Sequence, residues 1–126
     1  MVLVRLASRY YPTEDKARVM GAITQLFPDA EIVGEETLTA TSTSVELFGE
    51  LLKRQRIRDA ARKVMRRGIK GNSTSFRLNK QVAAIGKISF SEESHALGDI
   101  EVIIESEDIE ALIDSIAPNT RTEGRR

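Results

Sequence analysis

An α+β fold, with a mostly antiparallel sheet and helices packed on one face of it, is what this sequence predicts, and three observations carry that prediction. Residues 99–105 alternate Ile100, Val102 and Ile104 with Glu101, Ile103 and Glu105, the period of two that a half-buried strand requires. Four other stretches space their apolar side chains three and four apart, three of them behind residues able to cap a helix. After Gly68 the texture changes from helical runs to short strands and turns. The predicted order is β-α-β-(β)-α-α-β-β-β-α in a single domain over residues 1–118.

Residues 2–8 are rich in aliphatic and β-branched side chains and read as a first strand, which Tyr10-Tyr11-Pro12 ends. Thr13 is placed to cap a helix whose first turn holds Glu14 and Asp15, the charge sign that the positive end of a helix dipole favours. Ala17, Met20, Ala22 or Ile23, and Leu26-Phe27 form its core stripe, and Pro28-Asp29 closes it. Residues 30–41 read as strand interrupted at Gly34, with Ile32, Val33, Leu38 and Ala40 among threonines. Thr43 and Glu46 have capping-box spacing ahead of a second helix carrying Val45, Leu47, Phe48, Leu51 and Leu52, which Gly49 weakens locally.

A third helix, continuous with the second or hinged near Gln55, carries Ile57, Ala60, Ala61, Val64 and Met65 and ends at Gly68. Gly71-Asn72-Ser73-Thr74 reads as a turn cluster, residues 75–78 and 86–90 as short strands, and residues 91–98 as a loop. Ser106 is placed to cap a last helix bearing Ile109, Leu112, Ile113 and Ile116, which Pro118 stops. The polar tail, residues 119–126, is expected to be disordered.

Composition narrows the function classes. A chain of 126 residues, 40% hydrophobic and 30% charged, suits one globular core. It has no cysteine, which excludes disulfides, thiolate zinc sites and thiol nucleophiles, and a reducing cytoplasm fits best. Arg5 and Arg9 interrupt the opening apolar run, so no signal peptide is visible, and no apolar run approaches the roughly twenty residues that span a bilayer.

The zero net charge conceals segregation. Residues 53–87 hold twelve of the nineteen Lys and Arg residues against a single acid, Asp59, a local charge of +11. Residues 91–114 hold nine acids and no Lys or Arg. On a helix turning about 100° per residue, Arg56, Arg58, Arg62, Lys63, Arg66 and Arg67 lie opposite the apolar stripe. A solvated face would serve as well with mixed signs, whereas like charges four apart, such as Arg58, Arg62 and Arg66, repel by a few tenths of a kcal/mol per pair. Phosphates would relieve that repulsion, because each one neutralised releases a counterion and the arginine fork matches its oxygens.

Lys70, Arg77 and Lys80 extend the basic supply, so the candidate RNA-contacting residues are Arg56, Arg58, Arg62, Lys63, Arg66, Arg67, Lys70, Arg77 and Lys80. Phe76 and Phe90 are the only aromatics nearby, which gives no evident stacking platform and favours contact with the RNA backbone and shape. Duplex DNA is the other polyanion that this chemistry accommodates. The rival class is a protein-interaction module, in which the basic segment of one copy meets the acidic segment of another to form a homodimer.

Other chemistry finds little support. Gly68-Ile69-Lys70-Gly71 has the spacing of a KH loop but is followed by a turn and a strand, and Gly86-Lys87 lacks both the first glycine and the hydroxyl residue of a P-loop. His95 is the only histidine and has no companion ligand or base. No metal, cofactor, membrane partner or catalytic residue is predicted, and the chain reads as a non-enzyme.

Four stretches taken together resemble a known family: Tyr11-Pro12-Thr13-Glu14-Asp15, Leu26-Phe27-Pro28-Asp29, Arg77-Leu78-Asn79-Lys80-Gln81-Val82-Ala83 and Leu97-Gly98-Asp99-Ile100. The chain is similar over about residues 2–118 to the archaeal uncharacterised protein family number two hundred and one. That resemblance implies an α+β fold similar to the ribosomal protein that docks five-S rRNA, and a general RNA-binding role. It implies no catalytic residues and assigns no binding residue.

Overall fold

In the computed structural model, which describes residues 2–9, 11, 13–91 and 99–118, the four longer strands obey one rule: even-numbered side chains point into the core. These strands are β1 (Val2–Arg9), β3 (Thr37–Ser42), β5 (Ser73–Asn79) and β6 (Asp99–Ser106). The short strands β2 (Glu31–Val33) and β4 (Ile69–Lys70) flank them, giving the order β2-β3-β1-β6-β5-β4 with every neighbouring pair antiparallel. Register aligns the buried rows, so Leu6 lies opposite both Ala40 and Val102, and Phe76 lies opposite Val102. The other face exposes Arg5, Thr39, Thr41, Ser75, Glu101 and Ile103.

Helices α1 (Lys16–Leu26), α2 (Glu46–Arg54), α3 (Arg58–Arg67), α4 (Lys80–Ala84) and α5 (Ile109–Ile116) supply the other half of the core. Their buried residues include Ile23, Leu26, Phe48, Leu52, Ala61, Met65, Ala83 and Ile113. All four phenylalanines of the chain are linked ring to ring: Phe27, Phe48 and Phe76 stack with centroids 5.4 and 5.7 Å apart, and Phe90 meets Phe76 edge to face at 5.5 Å. The result is an α+β fold with helices on the buried face of the sheet, as the alternation predicts.

Several local expectations are corrected, mostly because a side chain has a better partner at hand. Asp15, not Thr13, caps α1 by accepting from the Ala17 N–H at 3.0 Å, and Val19 is buried where Ala17 is exposed. The Thr43–Glu46 capping box does not form, since the Thr43 N–H donates to Asp29 at 3.1 Å. Asp108 caps α5, while Ser106 remains in β6 and donates its N–H to the Asn72 carbonyl at 3.0 Å. The turn cluster contracts to Gly71-Asn72, where Gly71 supplies φ +62°, and Ser73 and Thr74 join β5.

The strand expected over residues 86–90 is absent. Asn79 caps α4 instead, accepting from the Val82 N–H at 3.0 Å, and Phe90 alone bridges to Leu78. The Gln55 side chain takes the place of a strand neighbour for Ile88, donating to its carbonyl at 2.9 Å and accepting from its N–H at 2.7 Å. The loop over residues 92–98 with His95, the tail 119–126, Tyr10 and Pro12 lie outside the described residues.

Asp29 joins the segment after α1 to the end of β3. Its carboxylate accepts from the Ser42 hydroxyl and from the Thr43 N–H and hydroxyl, and these bonds hold its pKa below the ordinary carboxylate value. A depressed folded pKa means stability that is present above the unfolded value, near 3.9, and is lost as pH falls through the folded one. Asp29→Asn should therefore lower the urea midpoint at neutral pH, with the gap to the parent protein narrowing once pH falls below about 4. A gap independent of pH would show that the carboxylate charge contributes nothing.

Candidate nucleic-acid interface

The basic segment begins at a tight reversal. Gln55 ends α2, the Arg56 N–H bonds to the Lys53 carbonyl at 3.1 Å, and the Ile57 N–H bonds to the Leu52 carbonyl at 3.1 Å. This pair of bonds is a Schellman closure, and it places Arg56 in the left-handed region at φ 58°, where glycine is usual. Arg56 is therefore an exposed corner residue and not part of the α3 face.

Orientation of α3 follows from Ala61 and Met65, both fully buried, with Ile57 and Val64 packed beside them; Ala60, expected in this stripe, is exposed. That roll turns Arg62 and Arg66 toward α5. Arg62, whose side chain is 22% exposed, forms an ion pair with Asp114 and donates to the Ala117 carbonyl at 3.3 Å. Arg66 pairs with Glu110 at 3.4 Å. The strip expected from Arg58, Arg62 and Arg66 is thus largely neutralised within the chain, by acids drawn from the acidic segment. A matching signal was legible: Arg62 and Arg66 are four apart, as are Glu110 and Asp114.

Lys80 is a second correction. Its side chain is 3% exposed, and its Nζ donates to the Arg9 carbonyl at 2.7 Å and to both Glu14 carboxylate oxygens at 3.0 and 3.2 Å. It also lies 5.7 Å from the centre of the Tyr11 ring. A cation so enclosed cannot meet a phosphate. It ties α4 to the turn between β1 and α1, and so joins two of the stretches that carry the family resemblance.

What remains is a narrower surface. Lys63, Arg67 and Lys70 are exposed, Arg58 is half-buried, and none of these forms an ion pair with the described residues. Lys63 and Arg67 share one arc of α3, and Lys70 follows in the β4–β5 hairpin. Gly68 makes this approach of α3 to the sheet edge feasible, since a Cβ there would lie 2.2 Å from the Ser75 carbonyl oxygen. Arg77 stands half-buried on the open side of β5, opposite Glu101. A groove between α3 and β5, lined by Arg67, Phe76, Phe90 and Glu101, has no counterpart in the sequence reading, because its walls are far apart along the chain.

Among the described residues, no cluster of three or more His, Asp or Glu side chains could hold a metal ion. No helix there is long and apolar enough to cross a membrane.

A family model described as RNA binding matches residues 4–106, which takes in all of the sheet but the first two residues of β1, and the basic helix. A UPF0201 protein of Methanothermobacter thermautotrophicus is 40% identical over 120 residues, covering 92% of this chain and 91% of its own. One from Sulfurisphaera tokodaii is 44% identical over 120 residues, covering 86% and 82% respectively. Among solved structures, the UPF0201 protein from Methanococcus jannaschii superposes with a TM-score of 0.85 at 38% identity, over 93% of each chain.

Two stability measurements check these placements. Arg62→Gln should cost about 1–2 kcal/mol in urea unfolding, whereas Lys63→Gln should stay within about 0.5 kcal/mol of the parent. Equal effects would contradict the paired and unpaired assignments. Arg56→Gly should raise stability by up to about 1 kcal/mol by relieving the left-handed corner, and a loss instead would show that the arginine side chain anchors it.

Proposed function

We propose that this chain, which belongs to the UPF0201 family, binds structured RNA without catalysing a reaction on it, seating phosphates along the outer arc of α3 and the β4–β5 hairpin. One observation carries the reading. Lys63, Arg67 and Lys70 project from consecutive elements beside Arg58, while the nearby acids of α5 are already engaged by Arg62 and Arg66. Such unneutralised charge is costly to hold together in water and is relieved by phosphates, whose condensed counterions are released on contact. The RNA-binding description of the matching family model supports the same polymer.

An A-form duplex suits this surface better than a sequence-reading groove, since its phosphates and 2′-hydroxyls are accessible while its deep groove is not. Arg56 and Arg77 flank the strip, and Arg62 and Arg66 hold α3 in place behind it. A homodimer joined through opposite charges loses support, because the basic and acidic segments meet within one chain. The absence of cysteine accords with work in a reducing cytoplasm.

Binding to a labelled RNA hairpin and to duplex DNA across a salt series tests the reading. The triple variant Lys63→Gln, Arg67→Gln, Lys70→Gln should weaken binding regardless of sequence and flatten the slope of log affinity against log salt by about 3, one for each phosphate no longer neutralised. An unchanged affinity and slope would overturn the assignment, and tighter binding to DNA would overturn the choice of RNA.

A further inference from the structure

We propose that the groove over the edge of β5 receives one unpaired base of the bound RNA and prefers a base that carries an exocyclic amine. This rests on the phosphate-binding reading above and names what lies beside it. The groove has a volume of about 640 Å³, within the range of roughly 300–1,000 Å³ typical of ligand sites. The groove wraps the β5 edge: Val64, Phe76 and Phe90 line it from the helix side, Arg67 stands on α3, and Ile103, Glu101 and its cross-strand neighbour Arg77 line it from the open face of the sheet.

That distribution matches a nucleotide part by part. Arg67 belongs both to this groove and to the strip with Lys63, so a phosphate held there leaves its base within reach of the apolar walls. Phe90 is half-buried and meets Phe76 edge to face at an interplanar angle of 66°, and a base lodged in the groove would stack on the Phe90 ring itself. The chain separates Phe76 from Phe90 by α4, and folding brings their rings to 5.5 Å. Gly68 sets the end of the groove by letting α3 touch the β5 backbone, where a Cβ would lie 2.2 Å from the Ser75 carbonyl oxygen.

Glu101 supplies the discrimination. It is exposed, and its carboxylate has no hydrogen-bond or ion-pair partner among the described residues. A carboxylate only accepts hydrogen bonds, so it favours the cytosine amine and offers nothing to a carbonyl oxygen at the same position in uracil.

The test uses three RNA hairpins with one stem sequence: fully paired, with a single bulged cytosine, and with a single bulged uracil. The parent protein should bind the cytosine bulge about tenfold more tightly than the paired stem, the scale that one stacked base contributes. Ser75→Trp, which fills the groove from an exposed strand position, should abolish that preference with affinity for the paired stem unchanged. Glu101→Gln should bring the cytosine and uracil bulges to equal affinity. If the parent binds paired and bulged stems alike, or if the bulge preference survives in Ser75→Trp, the base site is overturned while phosphate binding stands. If neither stem binds, both readings fall together.

Discussion

The antiparallel sheet is buried on one side only, and that constraint sets the position of nearly everything else. Val4, Leu6, Leu38, Ala40, Phe76, Leu78, Ile100, Val102 and Ile104 all point to the same side, so the helices must assemble there. Ala61 and Met65 then fix the roll of α3 about its own axis. With that roll set, the charged residues of the helix have no freedom left in direction: Arg62 and Arg66 face α5, and Lys63 and Arg67 face water. The separation of structural from available cations is therefore a consequence of core packing.

Electrostatics within the fold reinforces this division. The half-exposed Arg66–Glu110 pair stabilises by a fraction of a kcal/mol at most, whereas Arg62 is more enclosed and also satisfies the carbonyl of Ala117 just beyond α5. The Lys80–Glu14 pair is more enclosed still, with both side chains at or below 10% exposure. Removing one partner there would leave a buried charge uncompensated, far costlier than the loss of a surface pair. Asp29 performs a comparable joining task at the opposite end of α1, through neutral donors. The motifs shared by the resemblance thus include joints between elements: Glu14, Asp29 and Lys80 each hold two segments together.

A basic arc of α3 lies beside a groove lined by apolar side chains and one carboxylate. On the proposed reading the arc would meet the charge and geometry that any phosphate backbone presents, and the groove would add a place where chemical identity is read. The two share Arg67, and both depend on the close approach of α3 to β5 at Gly68.

By itself the sequence determined the α+β class, β1, the β2–β3 break at Gly34, the helical run from α2 into α3, and β6, because alternation and helical spacing are local properties of the chain; that the run breaks at Gln55 instead of continuing was settled by the fold. It also exposed the segregation of charge. Caps were misplaced where a rival side chain stood within a few residues, as with Asp15 for Thr13 and Asp108 for Ser106. The helix Lys80–Ala84 was missed because it is only five residues long, and a cap from Asn79 and burial of Lys80 decide it more than periodicity does. Only the tertiary structure decided which cations are available, since Arg62 lies 52 residues from Asp114 and Lys80 lies 66 from Glu14. Charge along a chain is a one-dimensional quantity, whereas its neutralisation depends on distances of a few ångströms that only the folded packing sets.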